Sequence, residues 1–145
     1  MKKMNLQSIP RMSKNAGIQA EYALTYTLTG TYGEHDRVRF DMGSDIPAYD
    51  MSVKSTAFSL ADARAINGET LEEKIEDYKE RVVSTSFAYV TKDLTSAYIM
   101  NLDEFCAFMM RWCYLCKESA KNSGLMKVRC LKESKRMLDW LEVRA

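Results

Sequence analysis

The stretch SDIPAYDMSVKS, from Ser44 to Ser55, constrains this fold most, because it packs an acid, a tight turn and a half-polar strand ending in lysine into twelve positions. If Asp50 to Ser55 is a strand, the period of two sets Met51 and Val53 on one face and Asp50, Ser52 and Lys54 on the other. A carboxylate and an ammonium then share a surface. Asp45, on a preceding short strand, comes alongside when Pro47, Ala48 and Tyr49 turn the chain, since proline pre-sets the first turn dihedral and has no N–H to satisfy. That arrangement suits a divalent metal with a lysine beside it.

At 145 residues and 46% hydrophobic content, the chain is expected to form one domain around one core. No apolar run approaches the roughly 20 residues needed to span a bilayer, and the amino terminus lacks the apolar segment of a signal peptide. A cytoplasmic protein with no membrane partner is the expectation. The four cysteines, Cys106, Cys113, Cys116 and Cys130, all fall in the last third. Without an export signal they are expected to be reduced. Cys113 and Cys116 have a zinc-like spacing, but CxxC inside an amphipathic helix reads better as core packing, and the only histidine, His35, is far away in sequence.

The net charge of +1 conceals an uneven distribution. Residues 1–20 hold Lys2, Lys3, Arg11 and Lys14 with no acid, and Arg111 to Arg136 carries eight basic residues against Glu118 and Glu133. Between them, Glu69 to Glu80 carries six acids and two lysines. Basic ends around an acidic middle are compatible with gripping a polyanion such as a nucleic acid. Solvated helix faces would give the same pattern.

Periodicity gives the order α, three β, α, two β, α, β, α. The first helix runs from about Lys14 to Leu28, with Ser13 or Asn15 as its cap and Gly30 past its end. Ile18, Glu21, Thr25 and Leu28 form one row beside a row of Ala16, Ala20, Ala23 and Thr27, which sets Glu21 inward or along a core edge. A glutamate there needs a partner, either a salt bridge or a metal. Arg37 to Met42 alternates as a half-buried strand, and three short antiparallel strands are expected after the first helix. Ser59 to Ile66 reads as a short helix, and Thr70 with Glu73 as a capping box for the helix of Leu71, Ile75, Tyr78 and Val82. Phe87 to Thr91 and Ser96 to Met100 read as a hairpin. Asn101 with Glu104 caps a helix whose stripe is Leu102, Phe105, Cys106, Met109, Trp112, Cys113 and Cys116. A strand from Lys127 to Leu131 and a helix presenting Met137, Leu138 and Leu141 complete the order.

A helix bearing Glu21, a sheet with Asp45 on one strand, and Ser52-Val53-Lys54 ending the next resemble the PD-(D/E)xK restriction-endonuclease-like superfamily, in the form of small nuclease-like proteins of phages and mobile elements. The resemblance covers about residues 14–100. It implies an α+β (α/β) single domain: a central mixed sheet flanked by helices, an αβββαβ core, and a carboxy-terminal α-β-α elaboration over about residues 101–145. In that family the helix acid, the strand aspartate and the acid two before the lysine hold one or two magnesium ions. Carried over, Glu21, Asp45 and Lys54 are the catalytic residues, and Glu21, Asp45 and the Val53 backbone carbonyl are ligands for Mg2+ or Mn2+. Ser52 departs from the family's carboxylate, which removes a negative charge from the metal site. Asp50 can supply that charge or cap the turn instead. Lys14, Arg129, Lys132 and Lys135 are the expected nucleic-acid contacts, and domains of this kind also work as homodimers.

Three functions compete on these residues. The first is a magnesium-dependent endonuclease, with DNA as the expected substrate. The second is a catalytically inactive binder of nucleic acid or nucleoprotein, for example a mobile-element inhibitor of host defence. The third is an assembly module that uses the Met- and aromatic-rich helix from Leu102 to Cys116, although such stripes are more often core.

Overall fold

Alternation along β3 (Ser86–Val90) and β4 (Ser96–Met100) sends their side chains into two separate cores. Phe87, Tyr89, Tyr98 and Met100 face one way, and Ala88, Val90 and Ala97 the other. A computed structural model describes residues 1–32, 45–55, 71–123 and 133–145. With β1 (Lys2–Asn5) and β2 (Met51–Ser55), these strands form a four-stranded sheet in the order β1-β4-β3-β2. β2 pairs parallel with β3, while β3–β4 and β1–β4 are antiparallel. The fold is α+β around a mixed sheet, as expected.

Helix α1 (Ala16–Thr29) covers the small-residue face, where Ala20 and Leu24 pack with Met51, Val53, Ala88, Val90 and Ala97. Small residues on the strands let the helix approach closely. Asn15 caps it by accepting the Ile18 N–H at 3.1 Å, and Gly30 ends it in the left-handed region at φ 76°, where a Cβ would be strained.

Helices α2 (Leu71–Arg81), α3 (Leu102–Ser123) and α4 (Lys135–Arg144) cover the other face. That core is aromatic. Phe87 stacks on Phe105 with centroids 4.7 Å apart, and the Trp112 ring meets Tyr89 and Phe108 edge-on at 5.2 and 5.1 Å. The phenols of Tyr89 and Tyr98, carried into this layer, donate to Glu133 and Glu142. Asn101 and Glu104 form the expected capping box, with bonds of 3.0 and 2.8 Å between each backbone N–H and the other's side chain.

Three expectations need correction. β2, expected among antiparallel strands, makes its ladder among the described residues parallel with β3 across the α2 crossover, which alternation in one strand cannot reveal. The basic amino-terminal stretch includes an edge strand, in which Lys3 pairs with Glu142 of α4. The buried stripe of α3 also takes in Phe108 and Leu115. The expected strands at 37–42 and 127–131, the helix at 59–66 and the Thr70 cap lie outside the described residues. Among those described, no helix is long and apolar enough to cross a membrane.

Phe108 is fully buried between Tyr89, Phe105, Trp112 and Trp140. Phe108→Ala is expected to destabilise the fold by about 3–5 kcal/mol through lost burial and a residual cavity. Urea unfolding of the two proteins measures it; a loss below about 1 kcal/mol would mean the aromatic layer repacks freely.

Candidate functional site

Among the described strands β2 is the outer one, and the chain doubles back along its edge away from β3. Ile46 and Met51 exchange both backbone hydrogen bonds, at 3.0 and 3.2 Å, around a 3-10 turn from Pro47 to Tyr49. Proline opens the turn, and Asp50 closes it in the left-handed region at φ 47°. The turn delivers Asp45 to the strand edge, where its Oδ2 accepts the Val53 N–H at 2.7 Å. Within a strand, a residue's N–H and C=O point to the same side, so the Val53 carbonyl also lies along this edge.

Alternation and register assign the side chains of β2 to the two layers. Val53 sits opposite Ala88 and belongs to the α1 layer; Ser52 and Lys54 sit opposite Phe87 and Tyr89, on the face that α2 and α3 cover. Glu21 rises from the other layer, on the rim of the α1 stripe formed by Ala20, Ala23 and Leu24. The two layers meet around the edge. Glu21 and Asp45 hydrogen-bond through their carboxyl groups, and the Lys54 charge reaches Glu21.

Burial first, then the charge of Asp45 and the hydrogen bond to it, push the Glu21 carboxyl from the ordinary 4.5 up to about 8, while Lys54 pulls the other way. At neutral pH the Glu21 carboxyl therefore keeps its proton beside Asp45. The α2 layer feels the same charge: the Tyr78 phenol is pushed up to about 12 by burial first, then by Cys106 and Asp45. Tyr78, which sequence reasoning placed only on a helix stripe, lies within reach of the Asp45 charge.

Asp50 does a different job. Its carboxylate accepts the Thr85 hydroxyl at 2.8 Å, and its carbonyl accepts the Thr85 and Ser86 N–H groups at 3.2 and 3.1 Å, tying the turn to the start of β3. Among the described residues, no three His, Cys, Asp or Glu side chains gather into a metal-holding group, so Asp50 does not join Glu21 and Asp45. It caps the turn, one of the two roles open to it from sequence.

Two carboxyl groups in hydrogen-bond contact are close enough to face one divalent cation, and the neighbouring Val53 carbonyl is a third oxygen of the right kind. Magnesium commonly keeps several waters, so this donor set fits it. Of the expected nucleic-acid contacts, Lys14 lies just before α1, and Lys135 opens α4, two residues beyond Glu133, whose carboxylate accepts the Lys92 N–H at 2.8 Å. Arg129 and Lys132 lie outside the described residues. Compared with known proteins, the chain matches no family model, no curated protein and no solved structure.

The raised Glu21 pKa has a sign that can be tested. Between 4.5 and about 8 the folded chain keeps a proton that the unfolded chain has released, so this group's stabilisation is complete below 4.5 and is lost as pH rises through about 8. Across that window the wild type is expected to lose stability relative to Glu21→Gln in denaturant melts. Parallel pH curves would show that Glu21 is not perturbed.

Proposed function

We propose that this chain is a magnesium-dependent nuclease-like protein that hydrolyses phosphodiester bonds of nucleic acid, with DNA as its substrate and the cytoplasm as its setting. One observation carries the proposal: Glu21 from one layer, Asp45 from the strand edge and Lys54 from the opposite face interact around the outer edge of β2. The described order of α1, returning edge segment, β2, α2 and parallel β3 supports it, being compatible with an αβββαβ core in which one of the three strands between the helices is described.

Glu21, Asp45 and the Val53 carbonyl would hold Mg2+ or Mn2+, which when bound supplies positive charge against the phosphodiester and lowers the pKa of water at the site. Asp45 is held in place by the Val53 N–H. Glu21 would hold a cation in its ionised form, because a positive charge between the two acids would offset their repulsion. Lys54 positions the attacking water or neutralises charge that develops on the phosphate.

A second reading is favoured by one residue. Ser52 occupies the strand position two before Lys54, where a third carboxylate would strengthen the metal site, and its hydroxyl brings no charge. On that reading the chain binds nucleic acid or nucleoprotein without cutting it, as a mobile-element inhibitor of host defence would.

Incubation of plasmid and single-stranded DNA with magnesium or manganese separates the two. Cleavage by the wild type, reduced about 100-fold or more in Lys54→Ala and Asp45→Asn, is expected. Equal cleavage by all three proteins would remove these residues from the chemistry. Salt-sensitive binding that persists in EDTA, with no cleavage under any condition, would select the binder. In that case Ser52→Asp, which restores the missing charge, is expected to tighten manganese binding.

A further inference from the structure

Beside the first turn of α1, where β3 runs into its hairpin turn, lies a cavity of about 370 Å³. Arg11 and Lys14 reach it from the loop before α1 and Lys92 from the β3–β4 turn, and among the described residues none of the three is ion-paired. Ile9 and Leu94 give it an apolar side. Such a volume lies within the roughly 300–1,000 Å³ range of small-molecule sites and exceeds what a bare phosphate needs.

The wall is built rather than incidental. Gln19, only 8% exposed, spends its amide on the loop that carries Arg11: Oε1 accepts the Met12 and Ser13 N–H groups at 2.9 and 3.1 Å, and Nε2 donates to the Pro10 carbonyl at 3.0 Å. That loop is thereby fixed against α1, whose positive end adds to the field of the cations. The nearest acid in sequence, Asp93, turns into the hairpin, where its Oδ1 accepts the Thr91 hydroxyl at 2.7 Å and the Thr95 N–H and hydroxyl at 3.1 and 2.7 Å.

We propose that this cavity is a nucleotide-phosphate site: Arg11, Lys14 and Lys92 hold the phosphate, and Ile9 and Leu94 hold the apolar face of the attached nucleoside. Arginine supplies a planar fork and the lysines point charges, a combination that matches a phosphate with several free oxygens. The proposal uses neither Glu21 nor Asp45 nor a metal ion, so it stands apart from the nuclease reading. The ligand can be a free nucleoside monophosphate or the phosphorylated end of a strand.

Calorimetry in EDTA tests it, with adenosine 5′-monophosphate, adenosine, inorganic phosphate, and a short DNA strand with and without a 5′-phosphate. The monophosphate is expected to bind more tightly than either adenosine or phosphate. Arg11→Ala and Lys14→Ala are each expected to weaken it about tenfold. Ala16→Tyr, at an exposed position on the cavity wall, keeps every charge and is expected to block binding by filling the space. Circular dichroism of each variant checks that the fold is retained. A preference for the phosphorylated strand over its hydroxyl counterpart assigns the site to strand ends, and no preference assigns it to free nucleotides. Failure of every phosphorylated probe to bind, phosphate binding as tightly as the monophosphate, or binding unchanged by Ala16→Tyr would overturn the proposal.

Discussion

The bond from the Val53 N–H to the Asp45 carboxylate is the constraint on which the candidate site depends. An edge strand presents unpaired donors and acceptors, and proteins cover or blunt that edge to avoid pairing with other chains. Here the cover is the chain's own return, a backbone bridge at Ile46 followed by a carboxylate at Asp45. The Asp45 carboxylate at this edge leaves the Val53 carbonyl beside an acid. The same device that protects the edge concentrates oxygen atoms there.

Local signals in the sequence predicted local structure well. The Pro47 turn, the Asn15 and Gly30 ends of α1, the Asn101–Glu104 box and the β3–β4 hairpin were all legible, because each is fixed by residues a few positions apart. The parallel pairing of β2 with β3 was not. It joins segments more than 30 residues apart, and a half-buried strand alternates in the same way whichever direction its neighbour runs. β1 was hidden for another reason: at the sheet's other edge it buries little, and Lys2, Lys3 and Asn5 read as a solvated arm. The extra reach of the α3 stripe, through Phe108 and Leu115, follows from packing on both the sheet and α4, which widens the buried face beyond one row.

The meeting of Glu21 and Asp45 was legible as a possibility of order and spacing, whereas its electrostatics needed three dimensions. Two carboxyl groups in contact beneath a helix rim are unfavourable when both are charged, and neither packing nor helix propensity requires a glutamate at that rim. Structural ion pairs usually match opposite charges; this arrangement sets two acids together, one kept protonated at neutral pH, and brings one lysine near. Such local conflict is expected where a site serves a ligand rather than the fold.

Helix α1 links the two polar regions. Successive helical residues are about 100° apart, so Gln19 and Glu21 diverge by about 200° around one axis with a rise of only about 3 Å. Gln19 fixes the loop bearing Arg11, and Glu21 meets Asp45 at the β2 edge. Between them Ala20, with Ala23 and Leu24 further along, seats the helix on the sheet, so neither side chain can shift without moving that core. The separation of Gln19 and Glu21 is therefore set by the packing of α1, and the loop bearing Arg11 and the segment bearing Asp45 are tied to the fold by hydrogen bonds, which is the condition a protein must meet to hold two charged groups of one ligand, or two ligands, at a fixed separation.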